Sequence, residues 1–206
     1  MDNWKIKIND NPLYPALIID NWYNAEEEQE IWDELYFFRS SIPIQRTENL
    51  NEAAKDDDNN SLAFVNRWFP IEVYNRKEES ASVRLVDKVR SDEFHSIITP
   101  LQPFSRMFIN SQIDRTIISY YGEGDYYKEH IDLALWTQLT WFVEDREMFE
   151  GGDLKLNDTG EIVELRHNRT LFMPSCLLHE VLPIKKLRNK DMGRWTITHF
   201  YMYMVY

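Results

Sequence analysis

Along the first hundred residues the apolar positions recur at helical intervals, while from Phe104 onward they alternate or gather in short blocks. Ile31, Leu35 and Phe38 form one helical stripe. Asn24 stands ahead of it as an N-cap, and Glu27, three residues on, completes a capping-box pattern. Glu26, Glu27 and Glu28 sit where the helix dipole favours negative charge. A second helix is predicted from Ser80, with Val83, Val86 and Val89 along one face. Leu17 to Asp20 is a short apolar run suited to a strand, and Asn49 to Asn60 is acidic and unpatterned. That stretch reads as a solvated surface loop; the alternative is a lid over a groove.

The second half predicts strands. Candidates are Asp114–Tyr121, Tyr126–Asp132, Leu135–Glu144, Asp153–Leu156, Ile162–Leu165, Arg169–Met173, Leu177–Pro183 and Arg194–Tyr203. They are rich in β-branched and aromatic residues and are broken by Gly, Asn, Asp and Pro. So many short strands in one block predict two packed antiparallel sheets, a sandwich or jelly roll. With 206 residues and no linker or repeat, the expectation is a single mainly β (α+β) domain. Residues 1–103 would give helical support with a loop at 49–60, and residues 104–206 the core.

An apolar fraction of 43% separates the chain from disordered proteins, and no apolar run reaches the roughly 20 residues that cross a bilayer. The N-terminus lacks the continuous apolar stretch of a secretory signal. The single cysteine, Cys176, excludes an internal disulfide; it reads as a small core residue, and the protein as cytoplasmic. A net charge of -12 disfavours a nucleic-acid partner and favours a cationic one. The one basic cluster, from Lys185 to Lys190, reads as a solvated loop.

The chemistry concentrates in Tyr120-Tyr121-Gly122-Glu123-Gly124-Asp125-Tyr126-Tyr127-Lys128-Glu129-His130-Ile131-Asp132. In a strand, residues two apart share a face, so His130 and Asp132 would converge. His179, in the apolar run Pro174 to Pro183, supplies a distant third ligand. Two imidazoles and one carboxylate make the facial triad of non-haem iron(II) oxygenases, with three positions open for a bidentate 2-oxo acid and O2. The distal carboxylate of such an acid needs a buried cation. Arg194 opens the last predicted strand, with Thr196 and Thr198 on its face. His199 alternates to the other face and reads as structural, His167 falls in a turn, and His95 beside Phe94 reads as structural.

As a set, YYGEGDYYKEHID, the Gly151-Gly152-Asp153-Leu154 turn, NRTLFMPSCLLHEVLPI and GRWTIT resemble the prolyl-4-hydroxylase-like branch of the 2-oxoglutarate/Fe(II) dioxygenases. The resemblance runs from Tyr120 to Phe200. It implies a double-stranded β-helix (jelly-roll) core supported by N-terminal helices. It implies His130, Asp132 and His179 as catalytic iron ligands, and Arg194 and Tyr120 as partners of the 2-oxoglutarate carboxylate. Tyr127 would lie near the substrate, and Gly151 and Gly152 would serve backbone geometry. Iron(II), 2-oxoglutarate and O2 are the implied cofactors, with ascorbate as a further candidate.

The implied reaction is hydroxylation of a peptide or protein, with proline the leading target, and the acidic balance suggests a basic substrate segment. A small molecule or free amino acid is the alternative substrate, and a jelly-roll metal-binding module without catalysis the alternative role. Asp132 favours hydroxylation over halogenation. Nucleic-acid demethylation is disfavoured, because Phe200 stands six residues after Arg194 where the dealkylating relatives carry a second arginine. Arg194 stands fifteen positions after His179, and Lys185 to Met192 reads as an extra hairpin loop.

Overall fold

The computed structural model describes residues 3–8, 16–49, 53–189 and 192–203. In chain order the first elements are β1 (Lys5–Ile8), β2 (Leu17–Asp20), α1 (Ala25–Ser41), β3 (Gln45–Arg46), β4 (Ala63–Phe64) and β5 (Asn66–Trp68). Four short helices follow: α2 (Pro70–Val73), α3 (Ala81–Arg84), α4 (Asp92–Ile98) and α5 (Met107–Asn110). The remainder is strand: β6 (Gln112–Tyr121), β7 (Tyr126–His130), β8 (Trp136–Val143), β9 (Phe149–Gly151), β10 (Leu154–Leu156), β11 (Glu161–Val163), β12 (Arg169–Pro174), β13 (His179–Val181), β14 (Ile184–Leu187) and β15 (Arg194–Met202).

Helix α1 begins as its sequence dictates. The Asn24 side chain accepts the N–H groups of Glu26 and Glu27 at 3.0 Å, and Glu27 accepts that of Asn24 at 2.9 Å. Ile31, Leu35 and Phe38 are fully buried along one face. Glu34 is buried beside them and accepts the Ser82 N–H at 2.7 Å; burial raises its carboxyl above the ordinary range. Ser80 caps α3, but only one α-helical turn follows before a tighter turn over Leu85–Arg90. Val86 and Val89 still face inward, while Val83 is half-buried.

Two antiparallel sheets and a ribbon organise the strands. The large sheet runs β1-β2-β12-β8-β15-β6-β5-β3, the small one β11-β10-β13-β7-β4, and β14 pairs with β9. All eight residues of β8 are buried, because the large sheet is covered on both faces. Trp136 and Phe142 join α1 and α4 in an aromatic core, together with Trp22, Phe94, Phe172 and Trp195. Leu139, Trp141 and Val143 point the other way, to Leu154, Leu156, Val163 and Val181 of the small sheet. This is the jelly-roll arrangement expected of the second half.

Several boundaries differ from expectation. The first third is not helical support alone: β1 and β2 extend one edge of the large sheet, β5 and β3 the other, and β4 joins the small sheet. Strand pairing across the chain recruits segments too short to show a period of their own. Leu177–Pro183 shrinks to His179–Val181, since a turn over Ser175–Leu177 interrupts it. Cys176 sits on that turn and is exposed, so it is not a core residue. The expected hairpin loop at Lys185–Met192 is partly β14; residues 190 and 191 lie outside the described residues, as do 50–52 of the acidic loop. No described helix is long and apolar enough to cross a membrane.

His199 lies on the helix side of β15, wholly buried, with Nδ1 3.0 Å from the Thr116 hydroxyl. Burial lowers its pKa to about 3. Unfolding restores the ordinary value near 6.5, so between these values the unfolded chain binds the extra proton and stability falls as pH falls. His199→Asn should flatten unfolding free energy against pH between about pH 6 and pH 4, by up to ~1.4 kcal/mol per pH unit. Chemical melts of both proteins across that range provide the measurement. Separately, Asn24→Ala should cost about 1 kcal/mol in urea unfolding at neutral pH through loss of the cap.

Candidate metal centre and its cavity

His130 ends β7 and is the cross-strand partner of His179 on β13, which brings the ring centroids to 4.3 Å. Each ring is oriented by its own strand. His130 Nδ1 lies 2.7 Å from the Lys128 carbonyl, and His179 Nδ1 lies 2.8 Å from that of Leu177. A carbonyl only accepts, so Nδ1 carries the proton and each Nε2 presents a free lone pair. Burial, reinforced by the neighbouring His179, lowers the His130 pKa to about 3, which keeps the imidazole neutral.

Asp132 arrives differently from the expected strand alternation. β7 has ended, and the chain turns so that the Asp132 N–H donates to the Ser175 carbonyl at 2.9 Å. The Thr137 hydroxyl then donates to Asp132 Oδ2 at 2.7 Å and is itself 2.8 Å from the Ser175 hydroxyl. The carboxylate oxygens come to rest 3.6 Å from the Nε2 atoms of His130 and His179. All three ligating atoms lie within 4.8 Å of one another, a spacing one metal ion can span. Two imidazoles and a carboxylate, with the remaining directions facing a cavity, fit iron(II).

That cavity, of about 420 Å³, lies between the two sheets. Arg194, Thr196, Thr198 and Phe200 from β15, Ile117, Ser119 and Tyr121 from β6, and Arg67 from β5 line one wall. Arg194 is wholly buried; its Nε donates to Thr196 Oγ1 at 3.2 Å, and Nη1 donates to the Gly152 carbonyl. Gly152 takes a positive φ of +80°, and a Cβ there would stand 2.6 Å from Ile184, so the turn that presents this carbonyl requires glycine. Nη2 has no partner, and among the described residues no carboxylate pairs with the guanidinium. Burial lowers its pKa to about 10. A buried charge left unpaired costs several kcal/mol, which a bound carboxylate offsets.

The sequence-predicted residues separate into two groups. His130, Asp132, His179, Arg194, Thr196, Thr198 and Tyr127 share the cavity, and Tyr127 stacks on His130 at 3.6 Å between centroids. Tyr120 does not. It faces the helix side, packs on Trp195, and its hydroxyl accepts the Gly193 N–H at 2.9 Å. The cavity position belongs to Tyr121, cross-strand partner of Arg194, with the guanidinium 4.8 Å from its ring centroid. Neighbours in a strand alternate faces, and the turn at Gly122–Asp125 hides the register from the sequence.

Reasoning from sequence also missed Arg67, Arg115 and the alanines Ala53 and Ala54, which close the cavity from the acidic loop. The Tyr127 hydroxyl accepts the Ala54 N–H at 3.0 Å. The loop is therefore more than a solvated insertion. The cavity does not follow the net charge of -12 of the whole chain: its lining sets three arginines, Arg67, Arg115 and Arg194, against a single carboxylate, Asp132.

Residues 116–202 match the model of the 2OG-Fe(II) oxygenase superfamily. A PKHD-type hydroxylase of Idiomarina loihiensis is 28% identical over 152 residues, which cover 69% of this chain and 61% of the hydroxylase. Solved structures that share the fold include two prolyl hydroxylases. A Trichoplax adhaerens prolyl hydroxylase, in complex with a hypoxia inducible factor peptide fragment, gives a TM-score of 0.61 at 16% identity, covering 91% of this chain and 83% of that one. A Pseudomonas putida prolyl-4-hydroxylase gives 0.62 at 13%, covering 92% and 93%. The triad, the cavity residues of β15, and Ile117, Ser119 and Tyr121 of β6 fall inside the matched segment, whereas Arg67 and Arg115 lie outside it.

Removing the hydrogen bond that orients Asp132 should weaken the metal site without dismantling it. Thr137→Val is expected to lower Mn(II) affinity about tenfold, read by calorimetric titration, with the fold retained by circular dichroism.

Proposed function

We propose that this protein is a 2-oxoglutarate-dependent iron(II) dioxygenase that hydroxylates a peptide or protein, with proline the target. The observation that carries the reading is the pairing of two buried features in one cavity. One is a His130–Asp132–His179 cluster with both Nε2 atoms free, and the other a counter-ion-less Arg194. A metal-binding module without catalysis needs only the first. The peptide assignment draws on the Trichoplax prolyl hydroxylase, which holds a peptide, and on the apolar mouth formed by Ile131 and Leu133, 48% and 91% exposed. The single exposed cysteine suits a reducing, cytoplasmic setting.

In this reading His130, Asp132 and His179 hold the metal, with the Lys128 and Leu177 carbonyls keeping the Nδ1 protons in place. Arg194, braced by Thr196 and Gly152, receives the distal carboxylate of 2-oxoglutarate, with Tyr121 and Thr198 beside it. When bound, iron(II), 2-oxoglutarate and O2 supply the oxidising chemistry, coupling decarboxylation to hydroxylation of a C–H bond, with ascorbate as an auxiliary reductant. Leu139, Leu154 and Val181 exclude water from the floor, and the Tyr127 ring holds His130 flat. Phe200 lines the cavity at the position where the nucleic-acid-dealkylating relatives carry a second arginine, which disfavours a nucleic-acid substrate.

The test is succinate formation from 2-oxoglutarate with iron(II), compared before and after admission of O2. Wild type should show slow turnover without added substrate, His130→Ala and Asp132→Ala less than about 1% of it, and Arg194→Met an apparent 2-oxoglutarate KM raised by about tenfold or more. Turnover that is absent in wild type, or unchanged in the triad variants, overturns the reading.

A further inference from the structure

Arg67 is a second buried cation in the same cavity, and the reaction outlined above makes no use of it. Its side chain belongs to β5, where it pairs across the strands with Ser119 of β6. It is 5% exposed, its Nε has no hydrogen-bond partner, and among the described residues no carboxylate forms an ion pair with it. Its guanidinium lies 5.5 Å from the centroid of Tyr127, the ring stacked on His130. Arg67 and Arg194 thus enter the cavity from opposite sides of β6, and Arg67 stands on the flank nearer β7 and the metal triad.

The cavity's charges do not balance without a further anion. Its arginine and carboxylate lining is Arg67, Arg115, Arg194 and Asp132. Asp132 is committed to the metal, and the distal carboxylate of 2-oxoglutarate to Arg194. Arg115 rests over the Phe69 ring at 4.7 Å and has other contacts of its own. Arg67 is left as a buried guanidinium whose Nε has no acceptor and which meets no carboxylate among the described residues, and this favours an anion over a neutral amide. A purely structural arginine would spend those donors on backbone carbonyls or a carboxylate, as Arg46 does on Asp125 and Arg169 on Asp20.

We propose that Arg67 receives a carboxylate of the substrate, so that the molecule oxidised at this site is an acid. The proposal rests on the oxygenase reading and deepens it. The carboxylate has two possible sources: an acidic side chain next to the target in a peptide, or the free carboxyl of an amino acid or peptide end.

The experiment loads the protein with Mn(II) and N-oxalylglycine, an inert analogue of 2-oxoglutarate, and titrates two sets of probes by calorimetry. The first set pairs N-acetyl amino acids with their primary amides; the second pairs end-capped proline tripeptides carrying Asp or Glu with their Asn or Gln counterparts. At least one acid should bind about tenfold or more tightly than its neutral partner, and the responding set identifies the source. Arg67→Gln should erase that preference, Arg67→Lys should keep part of it, and both should bind N-oxalylglycine as wild type does. A second readout needs no ligand. Losing an unpaired buried charge should leave the melting temperature of ligand-free Arg67→Gln at or above the wild-type value, whereas a structural role would lower it. Equal binding of acids and amides across both sets, a lower melting temperature, or N-oxalylglycine binding weakened tenfold in Arg67→Gln overturns the proposal. If wild type itself fails to bind N-oxalylglycine with Mn(II), the oxygenase reading falls first and takes the proposal with it, before any substrate probe is added.

Discussion

Because β8 and the strands beside it are buried on both faces, the large sheet must be covered twice, and the rest of the molecule follows from how that is done. The aromatic face carrying Trp136, Phe142 and Trp195 takes α1 and α4. The other face takes the small sheet, but not along its whole length. Where β6, β15 and β5 carry Ser119, Thr196, Thr198 and arginines instead of aliphatic residues, the two sheets cannot close, and the gap between them is the cavity.

The same constraint builds the candidate metal cluster. β7 and β13 are short strands of the small sheet, and their pairing sets His130 against His179 at the cavity edge. Each imidazole is locked by a carbonyl two residues back in its own chain, so neither needs help from a distant segment. Asp132 does need it: its backbone is tied to Ser175 and its carboxylate to Thr137, the residue that follows Trp136 into the large sheet. The carboxylate is therefore the ligand whose position reports on whether the two sheets are docked.

Electrostatics inside the cavity run against those of the whole molecule. The acidic excess is spread over solvated surface, where water screens it, whereas Arg67 and Arg194 are desolvated and face a small enclosed volume. Net charge is a property of composition, but the field a ligand meets is set by the few charges left unpaired around it.

Much was legible from residue order alone. The capping box at Asn24 and Glu27, the apolar stripe of α1 and most of the strands are short-range patterns, decided by neighbours a few residues apart. His130, Asp132, His179 and Arg194 could be singled out from their order in the chain, and the structure brings all four to one cavity. What the chain folded back on itself decided was everything dependent on pairing between distant strands. That includes the choice of Tyr121 over Tyr120, which turns on strand register past a turn. It includes the exposure of Cys176 on a turn, and the recruitment of β3, β4 and β5 from a segment without periodicity. It includes Arg67, an ordinary arginine by sequence, whose significance lies in being buried with no carboxylate partner among the described residues, a state that exists only once the sheets have closed around it.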